Sequence, residues 1–143
     1  MRGIRHQHGW LYLGNANEAR DPRALYEHRI EAVVDLAYEE RPADLPREFV
    51  VLRYPLTDDG ANNPVLLIAA VNSVAELIRG GIPVLVCCGA GMSRSPAVAA
   101  TALSVAFGTS REECLRKLAE IGPADVSPGL WSALGMCGRS GTD

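Results

Sequence analysis

Strands alternating with helices along 143 residues predict one α/β domain, with a mainly parallel central sheet of about four to five strands covered by helices on both faces. Three observations carry this. Short apolar runs bounded by turn residues recur along the chain. Helical stripes and caps fall between and after them. The length suits one well-formed core and gives no sign of a second.

Strand signals fall at residues 4–8 (weak), 10–13, 31–36, 49–55 and 84–87. Residues 24–28 form a short helical candidate. A longer helix begins with Asn63 as cap and Pro64 in the first turn, carries Leu67, Val71, Val74 and Ile78 as one stripe, and stops at Gly80-Gly81. Residues 96–107 are apolar nearly all round, as a helix in the middle of a domain would be, and Gly108 ends them. Ser110-x-x-Glu113 is a capping box leading into a helix with Cys114, Leu118 and Ile121 on one face. Ser127-Pro128 starts a last short helix through Trp131 and Leu134. Trp10 and Trp131 read as core or rim aromatics. In such folds ligands bind beyond the carboxyl ends of the strands.

The folded domain is expected over residues 1–137, with 138–143 a short tail. Net charge is −3, and the arginines are scattered, so no basic stripe argues for nucleic acid or anionic lipid. The N-terminus lacks an apolar signal core, and runs such as 64–71 are too short to span a bilayer. Four cysteines without framework spacing fit a reducing compartment. A cytoplasmic monomer, with neither nucleic-acid nor membrane partner, is the expectation. His6, His8 and His28 have no metal-site spacing, so no metal or cofactor is expected. Glu39-Glu40-Arg41 reads as a solvated loop.

The chemistry is concentrated in Cys88-Gly89-Ala90-Gly91-Met92-Ser93-Arg94, which follows the run 83–87 and precedes Ser95-Pro96 and an alanine-rich segment. A strand that turns tightly into a helix aims consecutive backbone N–H groups, with the positive end of the helix dipole, at one point where an anion belongs. The same field favours a thiolate, and cysteines so placed titrate at roughly 3.5–7.5 instead of about 8.5. The glycines permit sharp backbone angles and close approach of an oxyanion. Arg94 has the planar fork that matches phosphate oxygens in pairs. A nucleotide-type phosphate loop would need Gly-Lys-Ser/Thr before the helix, where this chain has Ser93-Arg94-Ser95.

Cys-x5-Arg-Ser, with Ala90-Gly91 inside it, resembles the active-site loop of cysteine-dependent protein phosphatases, most closely the dual-specificity branch. Gly9-Trp10-Leu11-Tyr12-Leu13-Gly14 is similar to that family's opening strand, the 25–36 segment to its helix-then-strand pattern, and the 120–125 segment to its late-helix ending. The resemblance implies a dual-specificity phosphatase-like catalytic domain over 1–137. Its substrate would be a phosphorylated protein or a small phosphomonoester.

Expelling an alkoxide or phenoxide needs a proton donor, a contribution of about 10²–10⁴-fold. Asp58 and Asp59 lie on a polar, Gly/Asn-rich loop after a predicted strand, 30 and 29 positions before Cys88. Asp58 has the family-like place after Tyr54-Pro55-Leu56-Thr57, with Asp59 the alternative; both residue types also favour turns for local reasons. The implied reaction is two displacements at phosphorus through a phosphocysteine. Arg94 and the N–H groups of Gly89, Ala90, Gly91, Met92 and Ser93 would bind the equatorial oxygens. By resemblance, the Ser95 hydroxyl bonds the Cys88 sulfur and helps it leave; it also suits a helix cap. Met92 brings no charge for a polyanionic head group. The family usually has His immediately before the nucleophile, whereas this chain has Cys87, which strand alternation sends to the face opposite Cys88 as a small buried residue. Cys114 and Cys137 read as spectators.

Overall fold

The computed structural model describes residues 1–137; the tail expected at 138–143 lies outside the described residues. Five strands form one sheet in the order β1-β2-β5-β3-β4. They are β1 (Arg2–His6), β2 (Gly9–Asn15), β3 (Ala32–Ala37), β4 (Val50–Leu56) and β5 (Val84–Cys88). The β1/β2 hairpin is antiparallel, and β2, β5, β3 and β4 run parallel. Six helices are described: α1 (Ala16–Ala19), α2 (Pro22–Glu27), α3 (Pro64–Arg79), α4 (Arg94–Phe107), α5 (Arg111–Glu120) and α6 (Pro128–Leu134).

Side-chain alternation divides the core into two layers. Val84, Val86 and Cys88 of β5 join Ala32 and Val34 of β3 in the larger cluster, under the stripe Leu67, Val71, Val74 and Ile78 of α3 and nearly all of α4. Leu85 and Cys87 point the other way, into a smaller cluster with Val33 and with Ala19 and Leu25 of α1 and α2. Helices therefore cover both faces. Every residue of β3 and β5 is buried, as expected of the inner strands of a parallel sheet.

Local signals explain most boundaries. The Asn63 side chain accepts from Val65 N–H and Pro64 follows it into α3; Gly108 ends α4 in the left-handed region at φ 76°. The Ser110 hydroxyl accepts from Glu113 N–H at the start of α5. A full capping box falls instead at Asn15 and Glu18, each side chain bonding the other's backbone N–H, and builds α1 where the sequence reading has no helix. α4 starts at Arg94, two residues earlier than expected, with Ser93 at its N-cap. Ser95 is thus inside the first turn, not a cap. Among the described residues, no helix is long and apolar enough to cross a membrane.

Candidate active site

Cys88 is the last residue of β5 and Arg94 the first of α4, so the loop between them lies at the carboxyl edge of the parallel strands. One pocket there is lined by Cys88, Ala90, Met92, Ser93 and Arg94 of the loop together with Asp58 and Asp125. The Cys88 Sγ is 3.2 Å from Ser95 Oγ. Cys88 is 2 % exposed and Ser95 fully buried. Gly91 adopts φ 76°, and a Cβ there would lie 2.9 Å from the Gly14 carbonyl, so conformation and space both require glycine.

Asp58 and Asp59 face different ways. The Asp58 Oδ1 accepts from the Ser93 hydroxyl at 2.5 Å, and Ser93 Oγ in turn accepts from Ser127 N–H at 2.9 Å. The Ser127 amide occupies a lone pair of Ser93 and leaves its proton for the aspartate. Asp59 turns back into its own loop, where its Oδ1 accepts from Ala61 N–H and from the Thr57 hydroxyl, each at 2.9 Å. Those bonds hold its carboxyl below the usual range, the Ala61 amide most of all. The Asn62 side chain closes the loop, accepting from Thr57 N–H and donating to Thr57 O, both at 2.8 Å. The start of α6 backs it: a Cβ on Gly129 would lie 3.0 Å from Gly60 N.

Residues 39–41 form a largely exposed turn, as the solvated-loop reading expects, but Glu39 does more than face solvent. Its carboxylate accepts two bonds from Arg94, Oε1 from Nη1 at 2.7 Å and Oε2 from Nη2 at 2.6 Å, while Arg94 Nη1 also donates to Leu56 O at 2.8 Å. Arg94 is 8 % exposed. The pair pulls the Glu39 carboxyl down to about 2 and raises the Arg94 guanidinium. Of the five guanidinium protons, these bonds take both on Nη1 and one on Nη2. The Nε–H and the second Nη2–H remain on the other edge, a two-pronged donor for oxyanion oxygens. Space for Glu39 is made by Gly89, whose Cβ would lie 2.4 Å from Glu39 Oε2. The neighbouring residues are held as well: Glu40 pairs with Arg20 at 3.3 Å, and Arg53 Nη2 reaches the carbonyls of Ala37, Tyr38 and Glu40 at 3.4–3.5 Å. Glu39 and Arg94 are 55 positions apart, and no local pattern announces the pair.

Cys87 lies across the sheet from Cys88, with its sulfur 3.9 Å from the buried Asp35 carboxylate. Burial and then Asp35 push its thiol upward. Cys114 and Cys137 are buried too, and burial raises both thiols. His6 and His8 pack at a tilt against Phe107, ring centroids 5.7 and 5.8 Å away. Trp10 is a rim residue, 42 % exposed, and Trp131 carries the Arg111 guanidinium 3.9 Å above its ring.

A strand-to-helix loop presenting a cysteine and an arginine around one oxyanion-sized point defines a class: the thiol-dependent phosphatase fold. Within that class the family model described as "Dual specificity phosphatase, catalytic domain" matches residues 11–134, and the chain belongs to this family. Human DUSP28 is similar at 27 % identity, over 91 % of this chain and 92 % of that one, with a TM-score of 0.77. A mouse putative dual specificity phosphatase complexed with zinc tungstate shares the fold at 24 % identity, TM-score 0.81, over 97 % and 87 % of the two chains. PTPMT1 shares it at 22 % identity, TM-score 0.74, over 96 % and 94 %. Comparison with curated protein sequences found no match.

Proposed function

We propose that this chain hydrolyses phosphate monoesters, the phosphotyrosine and/or phosphoserine and phosphothreonine of proteins, through a phosphocysteine intermediate. The observation that carries this reading is the convergence of Cys88, Asp58 and Arg94 on one pocket. Cys88 attacks phosphorus as the thiolate: the P–S bond forms, the P–O ester bond breaks, and Asp58 gives its proton to the departing oxygen. Asp58 then takes a proton from water, which attacks the phosphocysteine; the P–S bond breaks, inorganic phosphate leaves and the thiolate returns. Arg94 and the loop amides hold the three equatorial oxygens through both steps. Ser95, 3.2 Å from the sulfur, donates to it as it leaves. Asp58 is preferred to Asp59 because Asp58 lines the pocket and Asp59 is spent on its own turn.

A second reading, an oxyanion-binding module with weak or no turnover, is favoured by Cys87. It stands where the family usually has His and lies across the sheet from the nucleophile. One experiment separates the two. The phosphatase reading expects hydrolysis of an aryl phosphate, inhibition by vanadate or tungstate, and a phosphocysteine trapped on acid quench, with turnover abolished by Cys88→Ser and by Arg94→Ala. Tight oxyanion binding without turnover would support the second reading. Wild-type turnover in Cys88→Ser would refute the mechanism.

A further inference from the structure

Three carbonyls of the 88–94 loop are tied outward. Gly89 O accepts from Ala16 N–H at 3.4 Å and Met92 O from Asp125 N–H at 2.8 Å; Gly91 O accepts from Arg2 Nη2 at 2.8 Å. In a planar trans peptide the carbonyl and the next N–H point in opposite directions, so each tether turns an amide inward, at Ala90, Ser93 and Met92 respectively. Two tethers are backbone to backbone. The third depends on one side chain.

We propose that Arg2 is a positioning residue of the phosphate-binding loop: by holding the Gly91 carbonyl it aims the Met92 N–H at the bound oxyanion, a role that rests on the phosphatase reading above. Arg2 precedes the segment the family model matches. The antiparallel hairpin brings it to the site: pairing with Leu13, Arg2 stands at the same end of the sheet as the β5 carboxyl end, where β2 pairs Asn15 with Cys88. Its side chain lies flat on Gly122, where a Cβ would sit 1.9 Å from Arg2 Cδ and 2.2 Å from Nε. Nη2 also donates to Pro123 O at 3.3 Å. Arg2 therefore links the Gly91 peptide to the segment between α5 and α6, which holds the next peptide through Asp125. Its Nε is buried with no hydrogen-bond partner among the described residues, so the side chain is placed for what its far end holds and not for the bonding of its Nε.

The test is a double-mutant cycle on the full chain, read by vanadate dissociation constants at 25 °C and by kcat and KM for an aryl phosphate. Arg2→Ala is expected to weaken vanadate binding and lower kcat about tenfold, a fraction of the 10²–10³ lost when an oxyanion donor is deleted outright. Gly122→Ala, which keeps Arg2 but displaces it, should do the same. The double variant should be no worse than either single one, because the three atoms nearest the added methyl all belong to the Arg2 side chain that is then gone. Arg2→Lys, whose ammonium sits one bond short of the Nη2 that makes both bonds, should recover part of the loss. Thermal melts run alongside: a merely structural role lowers the melting temperature and leaves the vanadate affinity of the folded protein unchanged. Unchanged affinity in Arg2→Ala, or additive losses in the double variant, would overturn the assignment to Arg2 alone. If Arg2→Ala does not fold, Gly122→Ala decides on the same readouts. A wild-type chain that binds no vanadate would overturn the phosphatase reading and this one together.

Discussion

Replacing Glu39 by Gln is the most informative single perturbation of the site. It is nearly isosteric, but it removes the charge and puts a donor where Arg94 needs an acceptor, so one of two bonds at 2.6 and 2.7 Å is lost and the other weakens. The guanidinium keeps Leu56 O and gains freedom to swing about it. Misplacement by about 1 Å can cost about 10²-fold, so kcat/KM should fall about 10–100-fold, or about 1.4–2.7 kcal/mol of transition-state stabilisation. The stability effect is smaller, because the Glu39 side chain is 49 % exposed: screening reduces the pair to about 1 kcal/mol, a melting-temperature drop of about 3 °C. Its pH dependence has a definite sign. The Glu39 carboxyl is lowered from 4.5 to about 2 by Arg94, so its contribution is fully present above pH 4.5 and is lost as pH falls through about 2. The stability gap between wild type and Glu39→Gln should therefore be flat from pH 5 to 8, narrow below about pH 4.5 and close below about pH 2. Gly89→Ala, which pushes on the same carboxylate, should resemble it and add little to it. The assays are aryl phosphate hydrolysis, the vanadate inhibition constant and thermal melts. A Glu39→Gln protein with wild-type kcat/KM, or a faster one, would refute the claim that Glu39 aims Arg94 instead of merely sharing its surface.

The other expectations concern proton transfer and thiols. Asp58→Asn should lose about 10²–10⁴-fold on alkyl phosphates, less on aryl ones, and lose the basic limb of the pH–rate profile; Asp59→Asn should do neither, and the opposite pattern would move the acid to Asp59. Ser95→Ala should slow the second displacement so that phosphocysteine accumulates, seen as a burst of phenol release by stopped flow; a burst-free trace with unchanged kcat would remove Ser95 from the mechanism. Cys88 lines the pocket while burial raises the thiols of Cys87, Cys114 and Cys137, so iodoacetate at neutral pH should label Cys88 alone and phosphate should protect it. Mass spectrometry finding Cys87 labelled first would contradict the burial argument.

Where the elements lie was largely legible, because apolar runs, caps and glycine stops act over a few residues. Asn63 and Ser110 both accept the cap bonds expected of them. The capping box at Asn15 and Glu18 was equally present in the sequence and escaped only because an apolar strand runs straight into it. Contacts between distant segments were not legible. Nothing near residue 39 distinguishes a surface glutamate from one that clamps Arg94, and nothing near residue 2 indicates that an edge strand returns to the loop. What sets the Asp58 side chain apart from Asp59 in the fold is its bond from Ser93, itself backed by Ser127, 35 and 69 positions beyond Asp58, groups that meet only in the folded chain.

The two neighbouring sulfurs, separated by the thickness of a β-strand, set how this centre would respond to peroxide. A sulfenic acid formed on Cys88 cannot close onto Cys87 unless β5 unravels, so its reversible exits are a small external thiol such as glutathione or condensation with a backbone nitrogen, and without either further peroxide carries the sulfur on to the sulfinic and sulfonic acids.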